Sequence, residues 1–180
     1  MRPLAVTAIG RDRPGIVAAL TGVLVAHRVN LADSQMGLLG GRFSMLLVVE
    51  PPPEADLALL QEDLGRIADD LGLDVVAVHE VGEGAEDPAD PTHLLTVYGV
   101  DHPGIVHAVT TELSRRDVSI TDLSTRRVED GDEDPLYAMM LEVATPPSMS
   151  DDDVAAALER VAREQDLDVV VRRLGVEDDA

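Results

Sequence analysis

The feature that most constrains this chain is that its sequence occurs twice. Gly10, Asp12, Pro14, Gly15, Ile16 and Val17 return as Gly99, Asp101, Pro103, Gly104, Ile105 and Val106, a step of 89 residues that also holds for Leu24/Leu113, Val29/Val118, Leu31/Ile120 and Asp33/Asp122. The step then lengthens to 94 and is kept through Phe43/Tyr137, Met45/Met139, Leu47/Leu141 and the shared Leu-Asp-Val-Val at 73–76 and 167–170. The second copy therefore has about five extra residues between its middle strands. Two copies are too few for a solenoid, so a pseudo-symmetric pair of small domains is expected.

Each half reads as strand, helix, strand, strand, helix, strand. Leu4–Ile9 is a short apolar run, and Pro14 opens a helix whose Ile16, Ala19, Leu20, Val23 and Leu24 follow helical spacing. Leu31–Leu39 and Arg42–Glu50 flank Gly40-Gly41, a pair suited to the positive φ angles of a tight hairpin. Leu57, Leu60, Leu64, Ile67 and Leu71 mark a second amphipathic helix, Gly72 its stop, and 73–78 a closing strand. The second half predicts strand 93–98, helix 103–116, strands 119–128 and 135–144, helix 151–165 and strand 167–174. There Ser150 and Asp153 have the spacing of a capping box. A helix between the first two strands demands a crossover, so the expected class is α+β: two ferredoxin-like βαββαβ units, antiparallel sheets with helices on one face. The expected divisions are 1–80, an acidic Gly/Pro linker at 81–91, a second unit at 92–176 and an acidic tail at 177–180. Small halves bury modest cores, so docking of the halves or of two chains is expected to assist stability.

Composition excludes several roles. Net charge is −21, with 35 acidic residues against 14 basic ones, all arginine, and aromatic content is 2%. Direct nucleic-acid binding is disfavoured, because that affinity comes largely from cations displacing counterions and from stacking platforms. Cysteine is absent, which removes thiol nucleophiles, disulfides and zinc–thiolate sites and suits the cytoplasm. No signal-peptide pattern or membrane span is apparent. His102 and His107 are five apart and do not share a helical face. The acidic runs 129–134 and 151–153 lack the EF-hand pattern. No metal or cofactor is therefore expected. Met36, Met45, Met139 and Met140 read as core filler, and Arg126, Arg127, Arg172 and Arg173 as partners of surface acids.

Gly10-Arg11-Asp12-Arg13-Pro14-Gly15-Ile16-Val17 with Val29-Asn30-Leu31-Ala32-Asp33, and Gly99-Val100-Asp101-His102-Pro103-Gly104-Ile105-Val106 with Val118-Ser119-Ile120-Thr121-Asp122, resemble the signature of the ACT domain, a small amino-acid-binding regulatory module. A chain of two such units is similar to the glycine cleavage system transcriptional repressor-like group. Uridylyltransferases and formyltetrahydrofolate deformylases carry the same turn joined to catalytic domains; no catalytic segment is evident here, so no enzymatic activity is expected. The resemblance implies a ligand at an interface between two domains, touched by the turn and by the start of the next strand, with glycine or serine the first candidates.

The chemistry of the turn agrees. A free amino acid needs anion donors beside cation acceptors. Backbone amides at Gly15, Ile16, Gly104 and Ile105 face a helix N-terminus and favour a carboxylate. Asp12 and Asp101 can accept from a ligand ammonium, or equally cap their helices. The candidate ligand-binding set is Gly10, Asp12, Arg13, Pro14, Gly15, Ile16, Asn30, Leu31 and Asp33 in the first copy. In the second it is Asp101, His102, Gly104, Ile105, Ser119, Ile120 and Asp122. Ser119 stands where the first copy has Asn30, so the two sites are expected to be unequal and the first to be the binder. The expected partners are a small amino acid, a second copy of the chain and a protein regulator. A ligand-independent dimerisation or interaction module is the alternative.

Overall fold

The computed structural model describes residues 2–82, 89–128 and 135–175. The first unit runs β1 (Leu4–Arg11), α1 (Ile16–Ala26), β2 (Asn30–Leu39), β3 (Arg42–Glu50), α2 (Leu57–Leu71) and β4 (Leu73–Glu80). The second runs β5 (His93–Val100), α3 (Ile105–Ser114), β6 (Ser119–Val128), β7 (Leu136–Ala144), α4 (Asp151–Gln165) and β8 (Leu167–Arg173). Contacts divide the chain into Met1–Ala85 and Glu86–Ala180. Each unit has one four-stranded antiparallel sheet, in the order β2-β3-β1-β4 and β6-β7-β5-β8. The expected βαββαβ class is what the chain adopts.

Strand alternation places one face of each sheet against its two helices. In β1, Leu4, Val6 and Ala8 are buried while Ala5, Thr7 and Ile9 are half-exposed; Phe43, Met45, Leu47 and Val49 repeat this on β3. Ile16, Leu20, Leu24, Leu60 and Leu64 close the core from the helices. The second core uses Leu95, Val97, Met139, Leu141 and Val143 against Ile105, Val109, Leu113, Val154 and Leu158. Two of the four methionines named above depart from the core reading. Met36 lies on edge strand β2 and Met140 on the open sheet face, and they are 51% and 47% exposed. Apolarity does not tell which face of a strand is covered.

The local signals are realised in detail. Gly40 and Gly41 hold φ of 56° and 76°, and Gly72 stops α2 at φ 64°. Its counterpart Asp166 adopts φ 52° without being glycine, as short acidic residues tolerate. Ser150 and Asp153 form the reciprocal capping box at α4. Asp56, which the sequence reading passed over, caps α2 by accepting from the Ala58 and Leu59 amides at 3.1 Å. The lengthened second hairpin loop at 129–134, most of the linker and the tail lie outside the described residues. Among the described residues no helix is long and apolar enough to cross a membrane.

Candidate functional site

The turns between β1 and α1, and between β5 and α3, share one backbone geometry. Gly15 and Gly104 are the N-cap residues, with φ of 96° and 105°, and neither helix start receives a side-chain cap. The first intrahelical bonds are Ala19 N–H to Gly15 O and Ala108 N–H to Gly104 O, each 2.9 Å. The amides of Ile16, Val17 and Ala18, and of Ile105, Val106 and His107, therefore precede the helical ladder. Their dipoles favour an anion. Asp12 and Asp101 do not cap these helices. A left-handed glycine turns the chain where a capping carboxylate would otherwise fold back, and this releases both acids for other partners.

Their surroundings differ. Asp12 is exposed, and its backbone amide meets Gly41 O at 3.5 Å. Asp101 instead has Arg127 Nε 3.5 Å from its carboxylate. Gly10 has a packing duty: a Cβ there would stand 2.8 Å from Leu73 Cδ2 and 2.9 Å from Leu73 Cα. Gly99 meets Leu167 in the same way, at 2.7 Å. Gly15 has open space around its Cα, so its demand is conformational. Pro14 lies in the exposed turn just before that cap.

Arg13 and His102, equivalent by the repeat, make equivalent anchors. Arg13 Nη1 donates to Leu71 O at 3.0 Å. His102 Nε2 lies 3.0 Å from Gln165 O, and its Nδ1 lies 3.2 Å from Pro103 O. Each ties its turn to the last carbonyls of the second helix, where a cation complements the dipole. Because both partners of His102 are acceptors, both ring nitrogens must donate, which the imidazolium alone does. The Gln165 carbonyl, then that of Pro103, accordingly raises its pKa above the ordinary histidine value. A raised folded-state pKa stabilises below the unfolded value of about 6.5 and loses that contribution as pH rises through the folded value. Unit two should therefore soften as pH rises above about 6.5 and through the higher folded-state value, while His102→Gln flattens that dependence. Imidazole chemical shifts and thermal melts across the range test this, and a His102 titrating below about 6.5 contradicts it.

The second candidate segment lies elsewhere in the unit. Asn30 pairs with Glu50 and Leu31 with Val49, which itself pairs with Leu4, whereas Gly10 pairs with Phe43 and Leu38 lies beyond it. Leu4 to Gly10 spans about 20 Å of extended strand, so the turn and the Asn30–Asp33 segment occupy opposite ends of one sheet. Within one unit a small amino acid cannot touch both. A β-bulge sits between Leu31 and Asp33, and another between Ile120 and Asp122. Bulges re-aim side chains and leave backbone groups unpaired; nothing in the sequence announced them. Asn30 Nδ2 donates to Glu50 at 3.3 Å, and Asp33 accepts from the Ser34 amide at 2.7 Å. Ser119 and Ile120 begin β6 as Asn30 and Leu31 begin β2, with Asp122 just beyond the bulge.

A depression of about 280 Å³ lined by Thr7, Ile9, Gln35, Ser44 and Leu46 lies on the first sheet and contains no residue of the turn. Sequence reasoning missed three polar clusters between elements. Glu112, with its side chain 3% exposed, meets Arg116 and Arg160 closely and Arg115 at 3.7 Å. Buried His93 reaches Asp151 at 3.2 Å and Thr92 at 2.9 Å, and His27 reaches Asp63 at 2.7 Å. The His27 hydrogen bond holds the Asp63 carboxyl below its usual range, and burial opposes it. Among the described residues no group of three or more His, Cys, Asp or Glu is placed to hold a metal.

Comparison with known proteins accords with this architecture. Models of the ACT domain match residues 2–78 and 93–165. A UPF0237 protein of Methanopyrus kandleri is 40% identical over 82 residues, which is 44% of this chain and 90% of its own. The phosphoserine phosphatase SerB2 of Mycobacterium tuberculosis is 29% identical over 173 residues, 95% of this chain but 41% of its own. The crystal structure of an unknown protein from Galdieria sulphuraria has a TM-score of 0.80 at 28% identity, covering 97% of this chain and 99% of that one. A proposed glycine cleavage system transcriptional repressor has a TM-score of 0.72 at 16% identity, covering 96% of this chain and 97% of that one, a likeness of fold alone. With the duplicated turn, the sheet order and both matches in agreement, the chain belongs to the ACT domain family and carries two ACT domains in tandem.

Proposed function

We propose that this chain is a non-catalytic regulatory protein that senses an amino acid and transmits its binding through protein contacts. The observation that carries the reading is the pair of uncapped helix starts behind left-handed Gly15 and Gly104, each beside an acidic residue. Amides and dipole would receive the ligand carboxylate, and Asp12 its ammonium. The first site is the better binder in this reading, because Arg127 already faces the Asp101 carboxylate. Since turn and strand start lie at opposite ends of one sheet, a ligand held by both would take them from two different ACT units. Where those units belong to two chains, binding favours a dimer.

Calorimetry and thermal-shift screening of the common amino acids, glycine and serine among them, test the proposal. The expected result is saturable binding accompanied by a change of sedimentation coefficient; absence of any binder at millimolar concentration removes the sensing role. The second reading, a ligand-independent interaction module, draws on edge strand β2, whose Met36, Leu38 and Leu39 are 51%, 57% and 76% exposed. Exposed apolar edge strands invite pairing with another chain. Dimers that form without an amino acid and ignore its addition favour that reading.

A further inference from the structure

We propose that the open face of the second sheet docks onto the same face of a second copy of this chain. The inference is independent of the amino-acid reading above. Strand alternation leaves this face without helices, and it carries Tyr98, Val100, Leu136, Met140 and Val170, each 44% to 49% exposed. Clustered exposed apolar side chains mark contact surfaces. The occupant is identified by the layout of the face, which is complementary to itself.

Register arranges the face in rows running across β6, β7, β5 and β8. One row reads Arg126, Ala138, Tyr98, Asp168 and the next Ser124, Met140, Thr96, Val170. Two sheets stacked face to face about a twofold axis parallel to their strands meet with strand order reversed, β6 over β8 and β7 over β5. Arg126 then faces the partner's Asp168, Tyr98 the partner's Ala138 and Met140 the partner's Thr96. Charge meets opposite charge, and each large side chain meets a small one. Towards one end Asp122 meets the partner's Arg172, with Glu142 beside the same arginine; at the other end Val100 meets the partner's Leu136. Arg126, Asp168, Asp122 and Arg172 have no ion-pair partner among the described residues. The charges on this face nearly balance, so it is a place where two chains of net charge −21 can approach. The first sheet is barred from the same arrangement: Arg11 and Arg42 stand where the second has Val100 and Leu136, and reversal of strand order would stack four arginines. Four strands about 4.8 Å apart and rows spanning about 20 Å offer on the order of 400 Å² in plan from each copy. Side-chain relief brings the pair to about 1,000 Å², the lower bound for specific association, so the dimer is reversible with a Kd in the micromolar range.

The test is sedimentation equilibrium of the full chain from about 5 to 500 μM without any amino acid, with circular dichroism to check that each variant is folded. The expected result is a monomer–dimer equilibrium that Met140→Glu abolishes. Leu46→Glu, the equivalent exposed position on the first sheet, leaves it intact. Arg126→Asp sets acid against the partner's Asp168 twice in each dimer and weakens association about tenfold or more. Adding Asp168→Arg exchanges the two charges and restores most of the loss, which a merely structural role for either residue would not produce; this exchange decides the matter if the Met140 variant folds poorly. A chain that stays monomeric throughout overturns the inference, whatever else covers the face. So does a dimer that survives Met140→Glu, one that Leu46→Glu breaks equally, or a charge exchange that fails to restore association. None of these outcomes bears on whether an amino acid binds.

Discussion

Replacing Arg116 and Arg160 together by alanine is expected to destabilise the second unit by about 3–5 kcal/mol. Glu112 is 3% exposed, whereas the side chains of Arg116 and Arg160 are 33% and 50% exposed. Burial pushes the Glu112 carboxyl up, but the hydrogen bond from Arg160 and the charge of Arg116 outweigh it and hold the group below its usual range. A depressed carboxylate stabilises above its unfolded pKa of about 4.3, and the contribution is lost as pH falls through the folded value. With both arginines removed, burial is opposed only by the more distant Arg115, so the variant should be weakest at neutral pH and recover part of its deficit under mild acid. Urea denaturation at several pH values measures this; a deficit under about 1 kcal/mol at pH 7 would mean that Arg115, 3.7 Å away, suffices. The repeat supplies a control. Val23 stands where the second unit has Glu112, so Glu112→Leu should be close to neutral, as replacement of buried ions by apolar groups often is.

Gly10→Ala should cost about 1–3 kcal/mol through overpacking, because its Cβ meets the Leu73 backbone at 2.9 Å. Gly99→Ala should cost less, since its nearest backbone atom is Asp166 O at 3.1 Å and the closer Leu167 Cδ2 can swing away. Gly15→Ala fails for another reason. Nothing lies within 4 Å, but φ is 96°, and a side chain in a left-handed conformation costs about 1–2 kcal/mol. The three variants thus separate packing from conformation. Amino-acid affinity should survive in folded Gly10→Ala and fall in Gly15→Ala, where relaxing the backbone swings the helix-start amides. Urea melts and calorimetry on the same samples check both halves of the prediction, and equal affinity losses would mean that Gly10 belongs to the site.

The duplication, the element order and most element ends were legible because they are local. Periodicity of Leu57 to Leu71, glycine pairs at a hairpin and a Ser-x-x-Asp cap act within a few residues. The duplicated Gly-x-Asp-x-Pro-Gly turn also marked the right place for two uncapped helix starts. Its individual members were harder to assign, since Gly10 answers to Leu73, Arg13 to the Leu71 carbonyl and His102 to Gln165, all distant in sequence. Asn30 and Asp33 were grouped with the turn by nearness along the chain. In space α1 carries the chain back along the sheet and places them at its other end.

The repeat by itself thus determined that this protein is two ferredoxin-like units, because a hydrophobic period and a turn are encoded in neighbouring residues and copying them copies the fold. The Asn30/Ser119 mismatch already set the copies apart in sequence, but only the tertiary structure decided which contacts differ around the two turns. Arg11 meets Arg42 where Val100 meets Leu136, and Asp101 finds Arg127 while Asp12 stays exposed. The reason is that these differences lie in cross-strand and strand-to-turn pairs, whose partners are brought together by sheet register and by nothing in the local sequence.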